Sequence, residues 1–229
     1  MRALILSTLL AGVALAAWPV SHATAADAAS ASAPLVVPGP GPQELIQQVS
    51  NSLLNDLSAN RETYRKDPKK LHELVDKHLL PSFDVEYSAR LVLGTNWRTA
   101  TEAQKKRFVD AFYQSMMRNY GNSMIDFTSD RLTILPYKGE PGSTSATVKT
   151  LIKRDSGAPV AVNYSLHATP KGWLAWDVVI EGVSYVKRYK TDFGAEIQQK
   201  GLDAVIQRLE DQNASGKPDS AVTAGAKAP

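Results

Sequence analysis

Few residues of this chain have types and spacing that could do chemistry: the histidines, one carboxylate in an apolar setting, and one basic cluster. His72, His78 and His167 lie beyond the N-terminal segment, and His22 lies within it. His72 and His78 are six apart, about 240° around a helix of 3.6 residues per turn, so they cannot chelate one ion as an HExxH helix does. No serine sits in a G-x-S-x-G elbow, and neither a glycine-rich phosphate loop nor a dinucleotide fingerprint is present. The absence of cysteine excludes thiolate zinc sites, iron–sulfur clusters, cysteine nucleophiles and disulfides. Asp177 stands between Trp176 and Val178, where a carboxylate could acquire a raised pKa and act as an acid or base. Strand alternation places it on the face opposite Trp176 and Val178, which leaves a structural role open beside the catalytic one. Lys187, Arg188 and Lys190 form the densest basic cluster, either a solvated strand-to-helix junction or a contact for an anionic head group or acidic partner.

Composition narrows the classes further. With 229 residues, 43% hydrophobic and 21% charged, the chain is long enough for one or two ordinary apolar cores. The net charge of +3 is spread along the chain, so nucleic acid is not an expected partner. Residues 1–25 read as a cleaved secretory signal: Arg2 supplies the positive end, residues 3–17 are apolar or small, and Ala23-Thr24-Ala25 fits the cleavage pattern. That apolar run is shorter than the roughly 20 residues a membrane-spanning helix needs. Residues 26–42 are Ala/Ser-rich and then Pro/Gly-rich and read as a flexible linker, and residues 213–229 as a disordered tail. The folded unit is expected over residues 43–212.

The elements that must position these side chains follow from periodicity. Leu45, Ile46, Val49, Leu53, Leu54 and Leu57 predict a helix over 43–59, and Asp67-Pro68 opens a second that carries Leu71, Leu74, Val75 and Leu79 inward. A third spans 83–93, closed by Gly94; Thr101 caps a long helix striped by Phe108, Phe112, Met116 and Tyr120. After residue 126 the period becomes two, predicting strands over 131–137, 144–153, 158–168 and 173–186. In the third, Val160, Val162, Tyr164 and Leu166 share a face; in the fourth, Leu174, Trp176, Val178 and Ile180 do. A last helix covers 192–211. The expected architecture is α+β: a four-stranded antiparallel curved sheet with several helices packed on one face, a sheet-and-helix cone of NTF2-like form. The apolar side chains of this fold either fill a core or line a cavity, and periodicity alone does not separate the two.

One resemblance bears on that choice. The segment from Tyr87-Ser88-Ala89-Arg90-Leu91-Val92-Leu93-Gly94 through Trp97-Arg98-Thr99-Ala100, then Gln104, Phe108, Phe112 and Tyr120, resembles the MlaC family, the toluene-tolerance or periplasmic phospholipid-binding proteins of the Mla lipid-asymmetry pathway. So do Trp176-Asp177-Val178, Glu181-Gly182-Val183-Ser184, Tyr189, Phe193 and Gly201-Leu202-Asp203-Ala204-Val205-Ile206, although Tyr185 stands where the family commonly has an aliphatic residue.

The resemblance implies a monomeric periplasmic carrier, not an enzyme, without cofactor. It would take phospholipid as cargo between an outer-membrane lipoprotein complex and an inner-membrane ABC transporter complex. The lining expected for the acyl chains is Leu74, Phe83, Tyr87, Leu91, Phe108, Phe112, Met116, Tyr120, Val148, Val160, Val162, Tyr164, Leu166, Trp176, Val178 and Ile180, with Lys187, Arg188 and Lys190 near the head group or a partner. Two other functions remain in view: a small-molecule enzyme built around Asp177 in a similar cone, and a periplasmic adaptor with a filled core and no ligand.

Overall fold

The computed structural model describes residues 37–125, 127–140 and 142–216. The expected signal over residues 1–25, the expected linker up to residue 36 and the expected tail from residue 217 lie outside the described residues, while residues 213–215, expected in the tail, belong to the last helix. Local sequence explains most of the helix boundaries. α1 (Pro42–Lys66) starts on a proline and continues past the expected end at 59, because Asn60 leaves helical geometry (φ −127°) without ending the helix. α2 (Pro68–His78) is capped by Asp67, whose side chain accepts from the Lys69 N–H, with Pro68 in the first turn. α3 (Val85–Leu93) is capped by Asp84 through the Tyr87 N–H, and a short α4 (Asn96–Thr99) follows. Thr101 and Gln104 close a reciprocal capping box at the head of α5 (Glu102–Met124): the Gln104 N–H donates to Thr101 Oγ1 at 3.2 Å and the Thr101 N–H to Gln104 Oε1 at 2.9 Å.

The sheet is an antiparallel meander of five strands rather than four, in the order β1 (Leu132–Ile134), β2 (Ser145–Ile152), β3 (Val160–Thr169), β4 (Gly172–Ile180), β5 (Val183–Ser184). The extra strand comes from dividing the run expected over 173–186. Glu181 and Gly182 both take positive φ (49° and 82°), making a two-residue hairpin that returns the chain as β5. Tyr185 then begins α6 (Tyr185–Lys200), so Lys187, Arg188 and Lys190 lie in its first two turns, directly after the expected strand-to-helix junction. The final helix is also divided: Gly201 (φ 84°, ψ 161°) separates α6 from α7 (Leu202–Ser215). That extended, left-handed geometry is open to glycine and strained for other residues.

A second correction concerns β4. The ladder pairs Tyr164 with Val178 and Ser165 with Asp177, then shifts and pairs Leu166 with Ala175. Trp176 is the extra residue of the resulting bulge, and the phase of β4 reverses across it. Leu174, paired with His167, therefore lies on the face opposite Val178 and Ile180, not on theirs.

Three apolar clusters hold the fold. The largest is helical and joins α3, α5, α6 and α7 through Val92, Phe108, Phe112, Tyr189, Phe193, Val205, Ile206 and Leu209, with Trp176 the sheet's contribution. The second joins α1, α2 and the end of α5 through Leu54, Leu57, Tyr64, Leu71, Leu74 and Ile125, with Leu132 of β1 against it. The third seats Ile46 of α1 on Ala146, Val148, Leu166 and Ala175 of the sheet. α3 and α6 additionally reach the other face of β4, where the Ser88 hydroxyl donates to the Trp176 carbonyl at 2.6 Å.

Candidate functional site

Cross-strand pairing sorts the side chains of the sheet onto two faces with different chemistry. The polar face carries Ser165, His167 and Asp177. Asp177 is 3% exposed, and both its oxygens are engaged: Oδ2 accepts from the Ser184 hydroxyl at 2.5 Å and Oδ1 from the Val186 N–H at 3.0 Å. It therefore anchors the first turn of α6, where a carboxylate satisfies a free N–H and suits the helix dipole. His167 Nε2 shares a 3.0 Å hydrogen bond with Asp84 Oδ2, and its ring packs on Tyr87 with centroids 4.4 Å apart. Arg90 lies 4.8 Å over the other side of that chain of rings, on Tyr87. Both polar groups thus fasten α3 and α6 to the sheet.

The second face is apolar. Thr150 pairs with Val162, and Val162 with Ile180; Val148 pairs with Tyr164, and Tyr164 with Val178. Val160 and Val162 are buried while Tyr164, Val178 and Ile180 are half-buried. Thr150, fully buried, turns its hydroxyl back to the Val162 carbonyl at 2.7 Å, so it adds no unpaired donor to the surface. Burial pushes the Tyr164 phenol above its ordinary pKa, with the neighbouring Thr150 side chain acting the other way. Val160, Val162, Val178 and Ile180 belong to none of the three apolar clusters. They form an apolar floor on the same face of the sheet as Val148 and Leu166.

The residues singled out from the sequence are thus divided. Val160, Val162, Tyr164, Val178 and Ile180 come together on the floor, and Val148, Leu166 and Phe83 continue that surface into the cluster under α1. Phe108 and Phe112 are not brought to it; they pack on α6 in edge contacts typical of buried aromatics, with ring centroids 5.8 Å apart between Phe108 and Phe193 and 5.5 Å apart between Phe112 and Tyr189. Leu91, Met116, Tyr120 and Trp176 border the same helical cluster, Leu74 sits between α1 and α2, and Tyr87 lies on the polar face against His167. The hydroxyls of Tyr120 and Tyr189 meet at 3.2 Å, and burial pushes the Tyr189 phenol up to about 12. Lys187 is exposed; Lys190 lays its stem over Gly94, and Arg188 faces Asp192 at 3.9 Å.

Sequence periodicity missed Thr150 and Val183. Thr150 reads as a polar break in an apolar strand, and Val183 as part of a longer strand; only the register shows that both lie in the row of Val162 and Ile180. A separate groove of about 500 Å³ lies beside the β3–β4 hairpin, lined by Leu80, Phe83, Asp84, Val85, Lys171 and Leu174 among others. Among the described residues no three His, Asp or Glu side chains converge as a metal site, and no helix is long and apolar enough to cross a membrane.

Known proteins are related to this chain in sequence and in fold. The family described as MlaC protein matches residues 47–211. A toluene tolerance protein, ttg2D, of Pseudomonas putida is 28% identical over 170 residues, covering 74% of this chain and 79% of its own length. The intermembrane phospholipid transport system binding protein MlaC of Haemophilus influenzae is 24% identical over 177 residues, covering 76% and 82%. A phospholipid-binding protein from Ralstonia solanacearum, solved in complex with a phospholipid, superposes with a TM-score of 0.72 at 22% identity, over 77% of this chain and 99% of its own. That last likeness is one of fold.

Proposed function

This chain belongs to the MlaC family, and from that premise we propose that it is a phospholipid carrier that holds acyl chains against the apolar floor of its sheet. The observation that carries the proposal is the floor itself: an apolar surface of Val160, Val162, Val178 and Ile180 that stands apart from the three clusters stabilising the fold, with Tyr164 joining it to the third. The relatives' names and the phospholipid held by the Ralstonia solanacearum protein supply the class of ligand. Within this proposal the chain is exported by its N-terminal segment, works in the periplasm as a monomer, and passes cargo between an outer-membrane lipoprotein complex and an inner-membrane ABC transporter complex. Lys187, Arg188 and Lys190 belong to docking or to the head group, not to the acyl chains.

Transfer energetics suit the task. At about 0.8 kcal/mol per buried CH₂, two acyl chains are worth on the order of 20 kcal/mol relative to water. In a bilayer the chains are already dry, so moving them into an apolar site nearly cancels that term. The carrier therefore holds lipid firmly in water and releases it when a partner adds a small bias. No covalent step is required, and Asp177, spent on the head of α6, is assigned a structural role.

The test is direct. Protein purified without detergent is extracted and weighed by native mass spectrometry, and near-stoichiometric phospholipid is expected. Protein that never carries lipid, even after incubation with vesicles, would refute the proposal and return the filled-core adaptor.

A further inference from the structure

The apolar floor is closed on two sides. At one end, Ile46 of α1 covers Val148 and Leu166, and the Phe83 backbone bridges Ala175, with the Asp84 N–H donating to the Ala175 carbonyl at 2.7 Å. On the β1 side, Leu132 packs into the cluster of α1 and α2. Toward the β5 edge the register lays out a gradient. One cross-strand row runs Thr150, Val162, Ile180, Val183, all on the apolar face because directly paired residues share a face. Along it exposure rises from 0% at Thr150 through 5% at Val162 and a half-buried Ile180 to 51% at Val183. Among the described residues Val183 is the one exposed large hydrophobic side chain.

We infer that the acyl chains pass to and from the floor over the β4–β5 hairpin, with Val183 as the apolar sill of that opening. The inference rests on the carrier function proposed above. A single exposed valine would ordinarily need no explanation; its place at the end of a continuous apolar row leading inward supplies one. An acyl chain sliding along this row from Val183 through Ile180 to Val162 exchanges one apolar neighbour for the next, and the Thr150 hydroxyl beyond them is turned to the Val162 carbonyl. The sill is also held firmly. The Glu181 N–H donates to the Ala161 carbonyl at 2.9 Å, and Glu181 Oε1 accepts from the Ala161 N–H at 2.7 Å, so the turn is stapled to β3 despite the positive φ of Glu181. Ser184, next in sequence, points to the other face and binds Asp177. The polar neighbours of Val183 are thus turned away from the path.

The absence of native cysteine makes the test clean. Val183→Cys carries a bimane label at the sill, and Thr147→Cys carries one on the exposed, opposite face of β2 as the control. Both are loaded with phosphatidylcholine bearing a dibrominated stearoyl chain, whose bromines quench bimane on contact, and bound lipid is measured on the same samples by mass spectrometry. The expected result is quenching at 183 at least several-fold greater than at 147, at equal lipid content. A labelled 183 protein that no longer loads, while the 147 protein does, reports the same opening by blockage. Full loading with no excess quenching at 183 overturns the inference and leaves the carrier function standing. Failure of both labelled proteins and of the unlabelled chain to take up lipid removes the carrier function and this inference with it.

Discussion

Replacing Asp177 separates a structural carboxylate from a catalytic one. Asp177→Ala removes two charge-assisted hydrogen bonds, from the Ser184 hydroxyl and the Val186 N–H, at a position 3% exposed. Each such bond contributes about 1.5–3 kcal/mol, and a buried donor left unpaired costs about 1–3 kcal/mol. Ser184 keeps a second role, since its oxygen still accepts from the Lys187 N–H at 3.1 Å, so the loss falls mainly on Val186. The expected cost is about 3 kcal/mol for Asp177→Ala and about 1 kcal/mol for Asp177→Asn, whose amide oxygen can still accept from Val186. For a folded unit of this size, 1 kcal/mol moves Tm by about 2–4 °C, giving falls of roughly 6–12 °C and 2–4 °C. Thermal unfolding by circular dichroism, with lipid content measured on the same protein, reads both numbers. If Asp177→Asn kept the wild-type Tm and lipid content but lost all function, the carboxylate would be doing chemistry. If Asp177→Ala unfolded with the wild-type protein, the anchoring of α6 through this residue would be refuted.

Three further outcomes are expected. Val162→Trp and Val178→Trp place an indole on the apolar floor; in a filled core this overpacking costs about 1–3 kcal/mol, whereas displacement of an acyl chain leaves Tm near wild type and strips the lipid, which unfolding and lipid assays on one sample distinguish. Hydrogen bonds from Tyr64 (2.6 Å) and His78 (2.9 Å) hold the Asp56 carboxyl well below the usual carboxylate range. Its folded pKa is depressed, so its contribution is present above the unfolded value near 4 and disappears as pH falls through the folded one; Asp56→Asn should cost about 1–2 kcal/mol in urea titrations at pH 7, and that gap should narrow steadily below pH ~4. Reversing the exposed charges at Lys187 and Lys190 should leave lipid retention by the isolated protein unchanged while slowing transfer to partners; the opposite pattern would move these residues to the acyl chains.

The sequence was most informative where a local rule acts alone. Asp67-Pro68 and the Thr101/Gln104 pair specify helix starts through bonds made within a few residues, and each appears with the geometry its spacing implies. The breaks inside apparently continuous patterns were harder to read. Glu181-Gly182 lacks the Asn or Asp usual before glycine in such a turn, and the β-branched residues on both sides make the hairpin look like one strand. The bulge at Trp176 is a property of pairing with β3, absent from β4 considered alone, and it transfers Leu174 to the other face. The phase of Val162 and Val178 was recoverable because both lie before the bulge is reached from the β5 side. Phe108 and Phe112 fit a cavity lining as well as a filled core in the sequence, because an apolar stripe announces burial and not its partner; α6 and α7, separated by Gly201, are what cover it.

The location of the helical cluster has a bearing on the empty half of a carrier's cycle. Phe108, Phe112, Tyr189, Phe193, Val205, Ile206 and Leu209 bury one another between helices and draw only Trp176 from the sheet. Cooperative stability is thereby lodged away from the surface assigned to cargo, and a vacated floor forfeits contacts without dismantling the aromatic interior. In amide hydrogen exchange this predicts two tiers: slow, cargo-independent protection in α5, α6 and α7, and protection in β3 and β4 that rises and falls with lipid. A transporter arranged in this way can be filled and emptied repeatedly while its folding equilibrium scarcely registers the load.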